Sequence, residues 1–210
     1  KQIVFRGAHL LKNINSMSGG IVLVDEPELS MHPKWQQKVL QYYRNLFNKN
    51  GFQDVQMIIA THSEYVIKSA LQNSRDALII VLKEKENVIT PSKNISAPTI
   101  LPTITSAETN YLAFGILSAD YHIELYGYLQ NKTGNFTVKS CDDYIIAQTG
   151  LFNPALHTKT SSFTNQRGQT TNYQTLPTYI RNLIDHPDPT QSYTQEELKC
   201  SIELLIKLCR

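Results

Sequence analysis

The four aliphatic residues Ile21, Val22, Leu23 and Val24 run straight into the carboxylates Asp25 and Glu26, the pattern of a strand buried on both faces that ends at a polar edge. Ahead of it, Ile3, Val4, Ala8, Leu11 and Ile14 fall at helical spacing from the first residues on, with no capping residue or leading loop. Residues 1–13 therefore read as a helix, and the chain as a fragment cut inside it. A turn at residues 15–20 feeds the strand. Pro33 suits a first helical position, and Trp35, Val39, Tyr42, Tyr43, Leu46 and Phe47 follow at three- and four-residue steps to an Asn50-Gly51 stop, predicting one amphipathic helix over residues 33–50. Met57-Ile58-Ile59-Ala60 predicts a second buried strand, residues 64–71 a short helix and residues 77–82 a third strand. This β-α-β-α-β order implies a parallel sheet with flanking helices.

Residues 83–105, with Pro91, Pro98 and Pro102, suit a short hairpin and then a linker, which puts a domain boundary near Thr105. Residues 106–130 read as one long helix, with Tyr111, Phe114, Leu117, Leu125 and Tyr128 as candidates for its buried face. Residues 131–173 are polar, rich in Thr and Asn, and hold only the brief apolar stretch Tyr144-Ile145-Ile146-Ala147, too little for an assignment. Residues 176–186 are helical up to the stop Pro187-Asp188-Pro189, and Thr194-Gln195-Glu196-Glu197 opens a final helix as a capping box. The fold class is α/β over residues 1–105 and mostly α-helical over residues 106–210.

Composition narrows the function classes. Twenty basic and 18 acidic residues, a net charge of +2, are too balanced for nucleic-acid binding by bulk electrostatics, so any such contact is local. The longest apolar run is residues 77–82, far short of the roughly 20 residues that span a bilayer, and a cytoplasmic protein without a membrane segment is expected. Cys141, Cys200 and Cys209 show no Cys-x-x-Cys or Cys/His ligand spacing, which favours neither a disulfide framework nor a zinc site.

Asp25 and Glu26 stand at the carboxyl end of a buried strand, where doubly wound sheets bind ligands. There Asp25 would hold a magnesium ion through water, and Glu26 would orient and polarise the water that attacks a γ-phosphate. The next strand runs into Thr61-His62-Ser63, with His62 thirty-seven residues after Asp25, which brings an imidazole to the same edge. An apolar strand followed by Asp-Glu is common, and a lone histidine at a strand end is usually a loop residue. The coincidence of the two carries the reading.

The run Val24-Asp25-Glu26-Pro27-Glu28-Leu29-Ser30-Met31-His32-Pro33 resembles the Walker B motif and D-loop of ABC-type ATPases, especially the OLD-like, anti-phage-defence branch related to the SMC proteins. Thr61-His62-Ser63 is similar to their switch-histidine loop, and the resemblance covers roughly residues 1–90. It implies the C-terminal half of an ATPase head, with ATP and Mg2+ as cofactors and catalytic roles for Glu26 and His62. Sites of this type form between two heads, so a homodimer is implied, with residues 29–33 at the seam and Ser30, His32, Thr61 and Ser63 sensing the nucleotide and the twin site. His32 reads equally well as a solvated turn residue before Pro33. No Gly-x-x-x-x-Gly-Lys-Ser/Thr loop exists in the 210 residues. Ser18-Gly19-Gly20, seven residues before Asp25, reads as the turn into the strand rather than as an ABC signature. The resemblance places both missing motifs ahead of residue 1, so this chain alone is expected to hydrolyse ATP poorly or not at all.

A second constellation lies at Arg181-Asn182-Leu183-Ile184-Asp185-His186. Five helical positions separate Arg181 and His186 by about 140°, and the helix end at Pro187 can return the histidine toward the arginine. RNA cleavage by 2′-hydroxyl attack needs no metal, only a general acid or base near neutral pH and a cation for the scissile phosphate. An arginine, a polar residue and then a histidine late in a helix, behind an ABC-type ATPase, resembles the HEPN ribonuclease domain of bacterial anticodon nucleases. That resemblance implies an RNA (tRNA) substrate, catalysis by Arg181 and His186, and support from Asn182. On the preceding long helix Tyr121 or His122 would stack on or hold a nucleotide and Glu124 would orient Arg181; alternatively, the aromatics pack the bundle while Asp120, His122 and Glu124 face solvent.

A competing reading makes residues 106–210 a docking module for a separate nuclease subunit, as Septu-type ATPases recruit an HNH partner, and Arg181 and His186 are then incidental. A third, an SMC-like DNA-repair ATPase, lacks a long heptad segment between its motifs. His9 is read as structural, and His157 and Arg167 are given no role.

Overall fold

A computed structural model describes residues 20–49, 52–53, 55–73, 77–96, 98–164 and 167–210, and the chain divides into two units, Lys1–Ala97 and Pro98–Arg210. The expected helix over residues 1–13, His9, the Ser18-Gly19 part of the turn and the Asn50-Gly51 stop lie outside the described residues.

In the first unit, β1 (Ile21–Asp25) lies parallel to β4 (Gln56–Ala60), in a register that sets Ile21 opposite Gln56 and Asp25 opposite Ala60. The helix expected over 33–50 is broken. His32 caps α1 (Pro33–Gln36), a turn at Gln37 and Lys38 interrupts, and α2 (Val39–Phe47) follows. Val39, Tyr43 and Phe47, four residues apart on one face of α2, close over Val22 together with Val66. Trp35, expected on the same face, is 61% exposed and carries the Lys38 ammonium 5.9 Å from its ring centre. β2 (Asn48–Lys49) and β3 (Phe52–Gln53) form a short antiparallel pair before β4. Ser63 caps α3 (Glu64–Gln72), which buries Val66, Ile67, Ala70 and Leu71.

Two sequence expectations fail in this unit. Among the described residues, β1 and β4 are covered on one face only: Leu23 is 74% exposed, and Ile21 and Ile58 are also exposed beside it. A continuous apolar run does not distinguish one buried face from two. The third parallel strand is instead β5 (Ile79–Lys85), which pairs antiparallel with β6 (Val88–Ile95). Glu86 and Asn87 both have positive φ (54° and 62°), the geometry of a two-residue hairpin turn, so the local partner wins. Pro91 lies where the register shifts opposite Val81 and Leu82, a place that tolerates a residue without an N–H.

The second unit packs α4 (Ser106–Phe114), α5 (Ala119–Thr133), α6 (Val138–Ala147), α7 (Pro154–His157), the antiparallel hairpin β7 (Thr158–Thr164) and β8 (Thr170–Thr175), α8 (Leu176–Asp185) and α9 (Gln195–Cys209). Its core centres on Leu125, Leu129, Ile145, Ile180, Ile202 and Leu205. The expected long helix over 106–130 is two helices, because Gly115 adopts the left-handed conformation (φ 70°) and its amide and that of Ile116 close on Tyr111 and Asn110. Ser118 then caps α5. The capping box at the start of α9 forms, with the Glu197 amide 3.1 Å from Thr194 Oγ1 and the Thr194 amide 2.8 Å from Glu197 Oε2.

Residues 98–105 belong to this unit. The buried Glu108 carboxylate accepts from Thr99 Oγ1 (2.7 Å) and the amides of Ile100 (2.9 Å) and Leu101 (3.1 Å). The hairpin, which the polar stretch 131–173 concealed, is anchored through buried Asp142 on α6, which accepts from the amides of Gln174 (3.0 Å) and Thr175 (3.1 Å) and the Thr175 hydroxyl (2.7 Å). Cys141, Cys200 and Cys209 are free thiols, and burial pushes Cys141 up to about 11 and Cys209 up to about 12. Among the described residues, no helix is long and apolar enough to cross a membrane.

Two stability predictions follow from these anchors. Asp142→Ala leaves three donors without their acceptor and is expected to lower urea stability by about 3 kcal/mol, whereas Lys139→Ala, whose ammonium lies 4.0 Å from Asp142 at the surface, costs under about 0.5 kcal/mol. Buried His122 sits 2.9 Å from Ser201 Oγ, and burial pushes its pKa down to about 3. Its usual value near 6.5 in the unfolded chain means that unfolding takes up a proton below that pH. The His122 contribution is complete above pH 6.5 and is lost as pH falls toward 3. His122→Gln should flatten the fall in urea midpoint between pH 7 and 4.5; an unchanged slope would remove His122 as its source.

Candidate functional site

The parallel register brings the carboxyl ends of β1 and β4 side by side, and the Glu26 amide extends the ladder by donating to Ala60 O at 2.9 Å. Asp25 is exposed at that edge. Glu26 has φ 42° and Ser30 φ 62°, left-handed conformations that cost a non-glycine residue on the order of 1–2 kcal/mol. Between them the chain turns twice, with the Leu29 amide on Glu26 O (3.1 Å) and the Met31 amide on Glu28 O (2.9 Å).

His62 leaves the end of β4 with its side chain 86% exposed, and its Nε2 lies 3.9 Å from Glu26 Oε1, itself 42% exposed. The three residues on which the sequence reading rests, Asp25, Glu26 and His62, thus stand at one sheet edge open to solvent. Of the loop residues, Ser30 is exposed, and His32 is an exposed helix cap whose Nδ1 accepts from the Lys34 amide at 3.3 Å. Thr61 and Ser63 face inward. The Thr61 hydroxyl donates a short hydrogen bond to Glu28 Oε1, the His62 amide donates to the same oxygen at 3.2 Å, and the Ser63 hydroxyl donates to Gln36 Oε1 at 2.6 Å. Glu28 and Gln36 carry this network, and sequence reasoning missed both. The one available signal was a third carboxylate directly after Pro27.

The donor set fits a magnesium nucleotide. Among the described residues no group of three or more His, Cys, Asp or Glu side chains could hold a metal. Mg2+ needs only one or two carboxylates when phosphate oxygens and water complete its shell, and Asp25 can supply one.

In the second unit, Arg181, Asn182 and His186 line one cleft of about 360 Å³, with Phe163 and Gln191 on its walls. The Arg181 guanidinium pairs with Asp185 at 2.7 Å and also donates to Asn182 Oδ1 at 3.0 Å. His186 stacks on Phe163, with ring centres 5.9 Å apart. Of the residues expected to support an RNA site, Asn182 lines this cleft and the others lie elsewhere. Tyr121 is fully buried in the helical core, its ring tilted against that of Tyr111 with centres 5.0 Å apart. Glu124 accepts from Thr105 Oγ1 at 2.6 Å rather than orienting Arg181. His122, expected either to hold a nucleotide or to face solvent, is buried. Position 121 falls on the inner face of α5 because it lies one turn before the buried Leu125 and two before the buried Leu129.

Residues 2–67 match the family model described as AAA ATPase domain. The chain is similar to the probable ATPase of retron Vc95 from Vibrio cholerae, 35% identical over 81 residues that make up 38% of this chain and 15% of that protein. It is also similar to the Septu protein PtuA of Bacillus thuringiensis, 34% identical over 28% of this chain and 14% of that protein. A third relative is the probable ATPase of retron Ec83 from Escherichia coli, 38% identical over 26% of this chain and 9% of that protein. The matched stretch is therefore a small part of each relative's length.

Proposed function

We propose that the chain is the Walker B, D-loop and switch-histidine portion of an ABC-type ATPase of an anti-phage defence system, joined to a C-terminal unit that docks a partner subunit. The observation that carries the ATPase reading is the meeting of Asp25, Glu26 and His62 at one exposed sheet edge, with Nε2 of His62 3.9 Å from Glu26. Asp25 would hold the metal, Glu26 orient the attacking water and accept its proton, and His62 donate a hydrogen bond toward the terminal phosphate. Bound Mg2+ supplies charge neutralisation on the transferring phosphoryl group. The phosphate loop, absent from these residues, would be contributed from outside them, and the exposed Leu29, Ser30 and His32 would face a second head in a homodimer.

Docking is favoured over ribonuclease chemistry for the second unit by the partners of its polar residues. Arg181 is neutralised by Asp185, and Tyr121 and Glu124 serve the helical packing. The likeness to a Septu protein supports the same choice. The HEPN-like alternative keeps one supporting observation, the shared cleft of Arg181 and His186.

In the intact protein, Glu26→Gln should keep ATP binding and lose turnover by about 10²- to 10⁴-fold; wild-type turnover would remove Glu26 from the mechanism. RNA cleavage in EDTA that disappears in both Arg181→Ala and His186→Ala would overturn the docking assignment. Nuclease activity that needs magnesium, survives both substitutions and copurifies with a second subunit is the expected result.

A further inference from the structure

The loop after β1 and the loop after β4 are joined by a closed circuit of hydrogen bonds. Glu28 Oε1 accepts from the Thr61 hydroxyl and from the His62 amide. Thr61 Oγ1 accepts from the Ser63 amide at 3.0 Å, Ser63 Oγ donates to Gln36 Oε1, and Gln36 Nε2 returns to the first loop by donating to Met31 O at 3.0 Å. The backbone is thus held on both sides of His62, while the imidazole itself stays outside the circuit, facing Glu26. The circuit ties residues 28–36 to the backbone on both sides of His62.

The choice of a carboxylate here is costly. Glu28 is only 8% exposed, and its second oxygen, Oε2, is buried with no hydrogen-bond partner among the described residues. A buried charged acceptor with an unmet lone pair opposes folding, so fold stability does not explain it. A strong acceptor that can take a hydroxyl and an amide proton on one oxygen does explain it, because charge-assisted bonds hold geometry more firmly than neutral ones.

Resting on the hydrolysis reading of Asp25, Glu26 and His62, we infer that Glu28 is a positioning residue that couples the loop at the head's exposed edge to His62 and holds that histidine in register with Glu26. Three measurements on the intact protein test this. In the nucleotide-free state, Glu28→Ala should speed amide hydrogen exchange at residues 61–63 by about tenfold or more, leaving α5 and α9 unchanged. ATP turnover should fall by about tenfold or more in the wild-type background and by less than about threefold in a His62→Ala background, since two residues acting as one unit are not additive. ATP affinity should stay within about twofold. Equal losses in both backgrounds, or unchanged exchange at residues 61–63, would overturn the inference. If Glu28→Ala does not fold, Thr61→Val carries the same test and Thr61→Ser should restore wild-type behaviour. Should Glu26→Gln turn over ATP as the wild type does, the hydrolysis reading fails by itself, and the exchange rates still decide whether Glu28 fixes the His62 loop.

Discussion

The parallel pairing of β1 with β4, and its register, is the constraint on which the rest of the first unit depends. Setting Asp25 opposite Ala60 places two carboxylates and the histidine loop at the same end of adjacent strands, although 37 residues separate Asp25 from His62. A slip of one residue would exchange the two faces of the strand, removing Val22 from Val39, Tyr43 and Phe47 and carrying Asp25 away from the edge. The packing of α2 under the pair and the position of the chemistry are therefore fixed by the same contacts. This is how a small apolar cluster can hold polar groups in place while leaving them open to solvent.

The legible parts of this chain are those in which local pattern and tertiary partner agree. The apolar runs ending in Asp25 and Ala60 form strands that pair with each other, and the short helix from residue 64 and the capping box at Thr194, which depend on neighbours a few residues away, also form. What escaped the sequence depends on partners farther off or on a competing local bond. The hairpin turn at Glu86 and Asn87 captured a strand whose composition suited the parallel sheet. The hairpin of β7 and β8 consists largely of Thr, Ser and Asn, which carry no alternating hydrophobic signal, and it is held instead by polar anchors such as the Asp142 carboxylate and the Lys159–Glu197 ion pair. Glu28 and Gln36 were invisible because their meaning lies wholly in the loop they reach.

The two units use buried acids in comparable ways. Glu108 fastens residues 99–101 to α4, Asp142 fastens β8 to α6, and Glu28 fastens the histidine loop to the turn after β1. The first two have both carboxylate oxygens bonded and are structural anchors. Glu28, with one oxygen unmet among the described residues, stands apart from them and lies next to the proposed chemistry. In the second unit, the Arg181 guanidinium is paired with Asp185 one turn along its own helix.

The most direct test of the central claim is where the metal nucleotide binds. With Mn2+ replacing Mg2+ and ATP in excess, the intact protein labelled with ¹³C-histidine should show paramagnetic broadening of the His62 resonance, assigned through His62→Ala, and Asp25→Asn should abolish that broadening. A His62 resonance that stays sharp while Mn2+ and ATP are bound, or broadening that Asp25→Asn leaves intact, would contradict the account.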